Sequence, residues 1–200
     1  SGSINLPFMV DKKFIDLLFQ NYPKHKIKKN NDYDKVGLVN GLYATSAGLG
    51  GITIVEAHKK YSAGFLDLEL TGQQGDVMKE SMKVAKTVAW NLIPENIKKK
   101  IYEEMKEKGN FGIHLHCPEA ATPKEGPSAG TAITLAILSL FTNIKINNKV
   151  ALTGEIDLKG NVHAVGGIDL KIEGGIQAGV NTILIPFDNK NDLEMYKKKN

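Results

Sequence analysis

The sequence predicts an α+β fold. Short runs rich in β-branched and aromatic residues are interspersed with runs of helical periodicity, and the two types do not alternate strictly as a doubly wound parallel sheet would require. Size bounds the rest: 200 residues with 42% hydrophobic and 24% charged content can bury a real core, and one domain is the default. Ser1-Gly2-Ser3 reads as a cloning remnant, 4–35 as an N-terminal segment without assignment, and 36–200 as the domain proper.

Each element has its own signal. Residues 11–19 carry apolar side chains at Phe14, Ile15, Leu17 and Leu18, a short helix, and the polar Asn/Lys-rich stretch 25–35 follows as a surface loop. Runs 36–43, 52–57 and 65–70 read as a meander of strands, punctuated by Gly48-Leu49-Gly50-Gly51. From Asp76, taken as N-cap, Met78, Met82, Ala85, Ala89 and Leu92 recur at helical spacing until Pro94 ends the run, and 94–105 forms a more polar helix. Over 111–117, Phe111, Ile113, Leu115 and Cys117 alternate with Gly112, His114 and His116, which makes a strand with a histidine-bearing face. After a loop over 118–127, residues 128–140 are small and apolar, a buried helix with Pro127 suited to its first turn. Strands over 150–153 and 156–158, a turn at Lys159-Gly160-Asn161, a helix over 168–178, a strand over 182–185 and a polar terminal helix complete the chain.

Composition excludes several functions. There is no run of about 18 apolar residues and no basic-apolar-small leader, so neither a membrane span nor a signal peptide is expected. Net charge is +4, but the lysines fall in local clusters without interleaved aromatics, which reads as solvated surface, and no nucleic-acid partner is expected. The single Cys117 rules out an internal disulfide and a multi-cysteine zinc site, and no metal site is expected.

Ser128 stands in Pro-Lys-Glu-Gly-Pro-Ser-Ala-Gly, residues 123–130. A hydroxyl at a helix start either caps the helix or stands beside N–H groups and the positive end of the helix dipole. Gly126, Ala129 and Gly130 leave the backbone accessible there, so N–H groups of the turn suit an oxyanion hole. A serine nucleophile also needs a base. His114 and His116 on the upstream strand offer one, within a Ser-His-acid triad. Lys171 offers another: it lies between Leu170 and Ile172, and Gly174 and Gly175 admit a close neighbour that would strip water from the amine and lower its pKa. The plainer alternatives are a capping serine and a surface lysine snorkelling from an apolar base. A phosphate-cradling loop, as in small-molecule kinases of the GHMP type, is a further use of such a turn, but it leaves Lys171 without a role.

Three stretches in order, Gly-Asp-Val-Met-Lys-Glu-Ser at 75–81, the serine loop at 123–130 and Leu-Thr-Gly-Glu through Asp-Leu-Lys at 152–171, resemble the proteolytic domain of the Lon family of ATP-dependent proteases. The likeness runs from about residue 36 to about residue 193. It implies a fold of the ribosomal-protein-S5-domain-2-like type and a serine endopeptidase with a Ser-Lys dyad. Ser128 would be the nucleophile, Lys171 the general base, and Thr153 the residue orienting the lysine. Glu125, Gly126, Pro127 and Ala129 would shape the nucleophile loop, Glu125 departing by one methylene from the family's usual aspartate. His114 and His116 become strand and interface residues rather than metal ligands or bases. The resemblance also implies unfolded or damaged polypeptides as substrates and a homo-oligomer, a hexamer, in the full-length protein. This chain has no Gly-x-x-x-x-Gly-Lys-Ser/Thr loop, so no cofactor is expected on it, ATP and Mg²⁺ being expected for the full-length parent only. Intracellular, cytoplasmic localisation follows, with the mitochondrial matrix as alternative. A non-catalytic Lon-like assembly or interaction module is the competing reading.

Overall fold

The computed structural model describes residues 9–21, 27–118 and 126–199. A short helix, α1 (Lys12–Leu18), is capped by the Asp11 carboxylate accepting from the Phe14 N–H. Strands β1 (Leu38–Ala44) and β2 (Gly50–Tyr61) form an antiparallel hairpin, and β3 (Leu68–Thr71) follows. Helices α2 (Asp76–Leu92) and α3 (Glu95–Lys108) lead into β4 (Phe111–His116). A 3₁₀ turn (Pro127–Ala129) opens α4 (Gly130–Thr142), after which come β5 (Val150–Leu152), the small hairpin β6 (Glu155–Ile156) and β7 (Val162–His163), α5 (Ile168–Ala178), β8 (Thr182–Leu184) and α6 (Lys190–Lys199). None of the described helices is long and apolar enough to cross a membrane.

The main sheet runs β3-β4-β2-β1-β5-β8, with β3–β4, β1–β5 and β5–β8 parallel and the other pairs antiparallel. This mixture of directions with packed helices is the expected α+β arrangement. It corrects the meander read over 36–70: β1 and β2 pair, but β3 does not join β2. The chain leaves β3 through α2 and α3 and returns as β4, which inserts between them, because a parallel partner needs such a crossover. The Gly48 turn also sits earlier than the glycine run suggests, since Gly50 and Gly51 already belong to β2.

Alternation along the strands sets two apolar layers. Val39, Val55, Ile113 and Leu115 face α2, α3 and α4 and pack with Met82, Ala85, Ile101, Ile133 and Ile137. Leu42, Ile52 and Ala151 point to the other side, where Ala178 and Val180 at the end of α5 cover them. Of the helix-spaced residues, Met78, Met82, Ala85 and Ala89 are buried as their periodicity predicts, whereas Leu92 in the last turn of α2 is exposed. Three local expectations are corrected. Gly75, not Asp76, is the N-cap of α2, so Asp76 instead places its carboxylate in the first turn, where the dipole favours it. The helix expected from 128 starts at 130 after the 3₁₀ turn. Leu158 lies outside the strand expected over 156–158, exposed in the turn that the Asp157 carboxylate organises by accepting from the N–H groups of Lys159 and Asn161.

Candidate active site

The α5 helix reaches its place by backbone-to-backbone contact. A Cβ on Gly50 would fall 1.8 Å from the Leu170 carbonyl oxygen, and one on Gly174 would fall 2.1 Å from the Gly51 nitrogen. Glycine at both positions therefore lets the helix lie against the start of β2 with no side chain between them. The sequence signal was Gly174, and its counterpart on β2 emerges only in three dimensions. Lys171, one turn earlier, is 3% exposed. Its amine donates to Thr153 Oγ1 at 3.1 Å. Burial alone lowers its pKa from the ordinary 10.5 to about 8, because the charged form loses water without gaining a counter-ion.

Ser128 is held from the opposite side. Its carbonyl oxygen accepts from the Gly154 N–H at 2.9 Å and from the Thr153 hydroxyl at 3.1 Å, and the Gly154 carbonyl accepts from the Thr131 N–H at 3.1 Å. The Thr-Gly-Glu segment thus fastens the junction between the 3₁₀ turn and α4. Gly154 must be glycine here, since a Cβ would lie 2.7 Å from Val162 Cγ1 and 2.9 Å from Thr131 Cγ2. Thr153 consequently links the two sides: it receives the Lys171 amine and gives its own proton to the Ser128 carbonyl. The amine stands within two hydrogen-bond lengths of the Ser128 main chain.

Ser128 and Lys171 line one open cleft of about 520 Å³ with Pro127, Tyr43, Glu155 and the 164–167 segment. No hydrogen bond joins Ser128 Oγ directly to the Lys171 amine among the described residues. Gly126 precedes the serine turn at φ +100°, a backbone region that its missing side chain permits, and Ala129 is buried behind it. The expectation for Glu125 lies outside the described residues. His114 and His116 are placed elsewhere. Both sit on β4 and share the Thr71 hydroxyl, Oγ1 being 2.8 Å from His114 Nε2 and 2.7 Å from His116 Nδ1, and neither lines the cleft. Burial, and then the neighbouring His116, keep the His114 pKa below its usual value. Among the described residues no group of three or more His, Cys, Asp or Glu side chains could hold a metal ion.

Sequence reasoning missed several participants. Ser81 closes the first of the three motifs without an assigned role, and its hydroxyl donates to the Pro127 carbonyl at 3.3 Å, tying α2 to the serine turn. Tyr43 and Thr45 at the end of β1, and Gly166 and Gly167 before α5, build cleft walls from positions no local pattern marks.

A partly buried serine on a turn opening a helix, facing a desolvated lysine that a buried threonine holds, is chemistry suited to nucleophilic attack with a lysine base. Comparison with known proteins identifies the family. Residues 10–199 match the family model of the Lon protease (S16) C-terminal proteolytic domain. The chain is 43% identical over 169 residues to a Lon protease homolog of Acanthamoeba polyphaga mimivirus, covering 82% of this chain and 16% of the relative. It is 44% identical over 190 residues to a Lon protease of Campylobacter jejuni, covering 92% and 22%, and 40% identical over 194 residues to one of Clostridium beijerinckii, covering 96% and 23%. It therefore spans less than a quarter of the length of these curated relatives.

Proposed function

The chain belongs to the Lon protease C-terminal proteolytic family, and from that premise we propose a serine endopeptidase that uses Ser128 as nucleophile and Lys171 as general base. The observation carrying the dyad is the Lys171 amine, buried, held by Thr153 and lowered to about 8, on the same cleft as Ser128. An ammonium cannot accept a proton; with its pKa at about 8, roughly a tenth of the Lys171 amine is neutral at pH 7 and about half at pH 8, against well under a thousandth at pH 7 for an ordinary lysine. Lys171 takes the Ser128 proton as Oγ attacks a peptide carbonyl, and N–H groups of the serine turn receive the charge that develops on the carbonyl oxygen. The same lysine returns the proton to the departing amine. Water, deprotonated by the neutral lysine, then attacks the ester carbonyl, and as the ester C–O bond breaks the lysine returns that proton to Ser128 Oγ, restoring both groups.

Three further parts of the reading concern the longer protein. Its substrates are unfolded or damaged polypeptides, its subunits form a homo-oligomeric ring, a hexamer, and its ATP and Mg²⁺ requirement resides outside this chain, which needs no cofactor for the dyad chemistry. The S5-domain-2-like type is kept as the finer fold assignment, supported by the mixed sheet, and the location is the cytoplasm. Activity tests the core of the proposal. An unfolded model protein and a fluorogenic peptide should be cleaved by the wild type and not by Ser128→Ala or Lys171→Ala. A folded Ser128→Ala protein that retained cleavage would refute the dyad. Failure of a serine-directed covalent probe to label the wild type would favour the non-catalytic module.

A further inference from the structure

Behind the cleft wall lies a second hollow, of about 200 Å³, lined by residues 165–169 together with Asp192, Met195, Tyr196 and Lys199. Residues 165–167 therefore form a thin partition with space on both sides. Its two glycines stiffen it little: a Cβ on Gly166 would meet no atom within 4 Å, and Gly167 adopts φ +69° and lies close to Ala44 of β1, whose Cβ would stand 2.7 Å from an added one. One buried side chain pins it. Asn189, 3% exposed at the end of the 3₁₀ turn Phe187–Asn189, accepts from the Val165 N–H through Oδ1 at 2.9 Å and donates through Nδ2 to the Val165 carbonyl at 2.9 Å. The same Nδ2 donates to Asp192 Oδ2 at 2.6 Å, so the amide is itself fixed to α6.

We infer that Asn189 is a positioning residue for the active site, holding the 165–167 partition in place so that it closes over Lys171. The amide takes both hydrogen-bonding groups of one residue, as a neighbouring strand would, and thereby substitutes for a sheet partner at the end of β7. The partition also bears directly on α5, because the Gly167 carbonyl accepts the Lys171 N–H at 2.9 Å. Without Asn189 the partition has room to retreat into the hollow, and the cleft would admit water to the amine. The inference rests on the endopeptidase reading for its catalytic meaning, but its structural content, shielding of the Lys171 amine, stands separately.

The other titratable groups around Lys171 are Glu155 and Tyr43 on the cleft, Asp169 and Glu173 on α5, and Asp192, Tyr196 and Lys199 behind the partition; all remain in the variants below. The measurement is the titration of the Lys171 amine by nitrogen NMR in protein carrying labelled lysine, the signal assigned by its loss in Lys171→Met. Asn189→Ala, folded, should raise the Lys171 pKa by about one unit towards the ordinary lysine value, with a roughly tenfold fall at pH 7 in the rate at which a serine-directed probe labels Ser128. Should Asn189→Ala not fold, Asn189→Ser serves, since its single hydroxyl is too short to bond both the N–H and the carbonyl of Val165 and it adds no charge near Lys171. An unchanged Lys171 titration in the folded variant overturns the inference. A wild type whose Lys171 titrates low and responds to Asn189, but whose Ser128 never labels, upholds the inference and rejects the endopeptidase reading instead.

Discussion

Replacing Thr153 by valine removes one hydroxyl and leaves the volume of the side chain nearly unchanged, at a site 2% exposed. Two hydrogen bonds go with it, the one received from the Lys171 amine and the one given to the Ser128 carbonyl, each 3.1 Å long. A buried bond of this kind contributes about 1 kcal/mol when neutral and about 1.5 to 3 when one partner is charged. The Ser128 carbonyl keeps its bond from the Gly154 N–H, so the serine turn should hold. The lysine amine, by contrast, loses the acceptor that orients it, and the expected loss of transition-state stabilisation is about 1.5 to 3 kcal/mol, or roughly 10- to 150-fold in kcat/KM. The pH profile supplies a second, signed readout. An acceptor stabilises the ammonium more than the amine, so its loss should lower the Lys171 pKa below about 8 and move the rising limb of activity to lower pH while the plateau falls. Peptide cleavage measured from pH 6 to pH 10 for both proteins checks this. A plateau within twofold of the wild type, or a limb displaced to higher pH, would refute the assignment of Thr153 as the residue that holds the base.

Two other outcomes follow from the same geometry. Lys171 is protonated in both folded and unfolded chains below about pH 8 and bears the cost of a buried charge there. That cost, about 3 kcal/mol for a pKa lowered from 10.5 to about 8, disappears as pH rises to about 10.5. Denaturant unfolding should accordingly show Lys171→Met more stable than the wild type near pH 7, with the difference shrinking by about 3 kcal/mol by pH 10.5; a difference independent of pH would contradict the buried amine. Gly50→Ala should force α5 away from β2, because the new Cβ would meet the Leu170 carbonyl at 1.8 Å. Overpacking of this kind costs about 1 to 3 kcal/mol, and peptide cleavage should fall more than tenfold in the protein that still folds; full activity would show that the backbone contact does not set the position of Lys171.

Much of this site was legible in the chain because it depends on local pattern. The α5 helix runs over Ile168–Ala178 as its periodicity indicates, and the alternation over 111–117 separates the buried Ile113 and Leu115 from His114 and His116. Ser128, Thr153 and Lys171 were marked by motifs, and Gly174 announced a close approach without naming what approaches. Boundaries were less legible where tertiary bonds compete with propensity: the Ser81 hydroxyl and the Thr-Gly-Glu segment hold the turn at 127–129, and the α-helix begins only beyond it.

By itself, then, the order of residues determined which side chains are candidates for the proposed nucleophile, base and orienting hydroxyl, and which faces of each element are apolar. Only the tertiary structure decided that Lys171 is desolvated, since water is excluded from its amine by elements far apart in sequence. The same holds for the insertion of β4 between β2 and β3 and for the clamp of Asn189 on Val165, 24 residues away. Periodicity reports how a residue relates to its near neighbours along the chain. Burial of a charge, and the hydrogen bonds that fix a cleft wall, depend on which distant segments the fold brings against it.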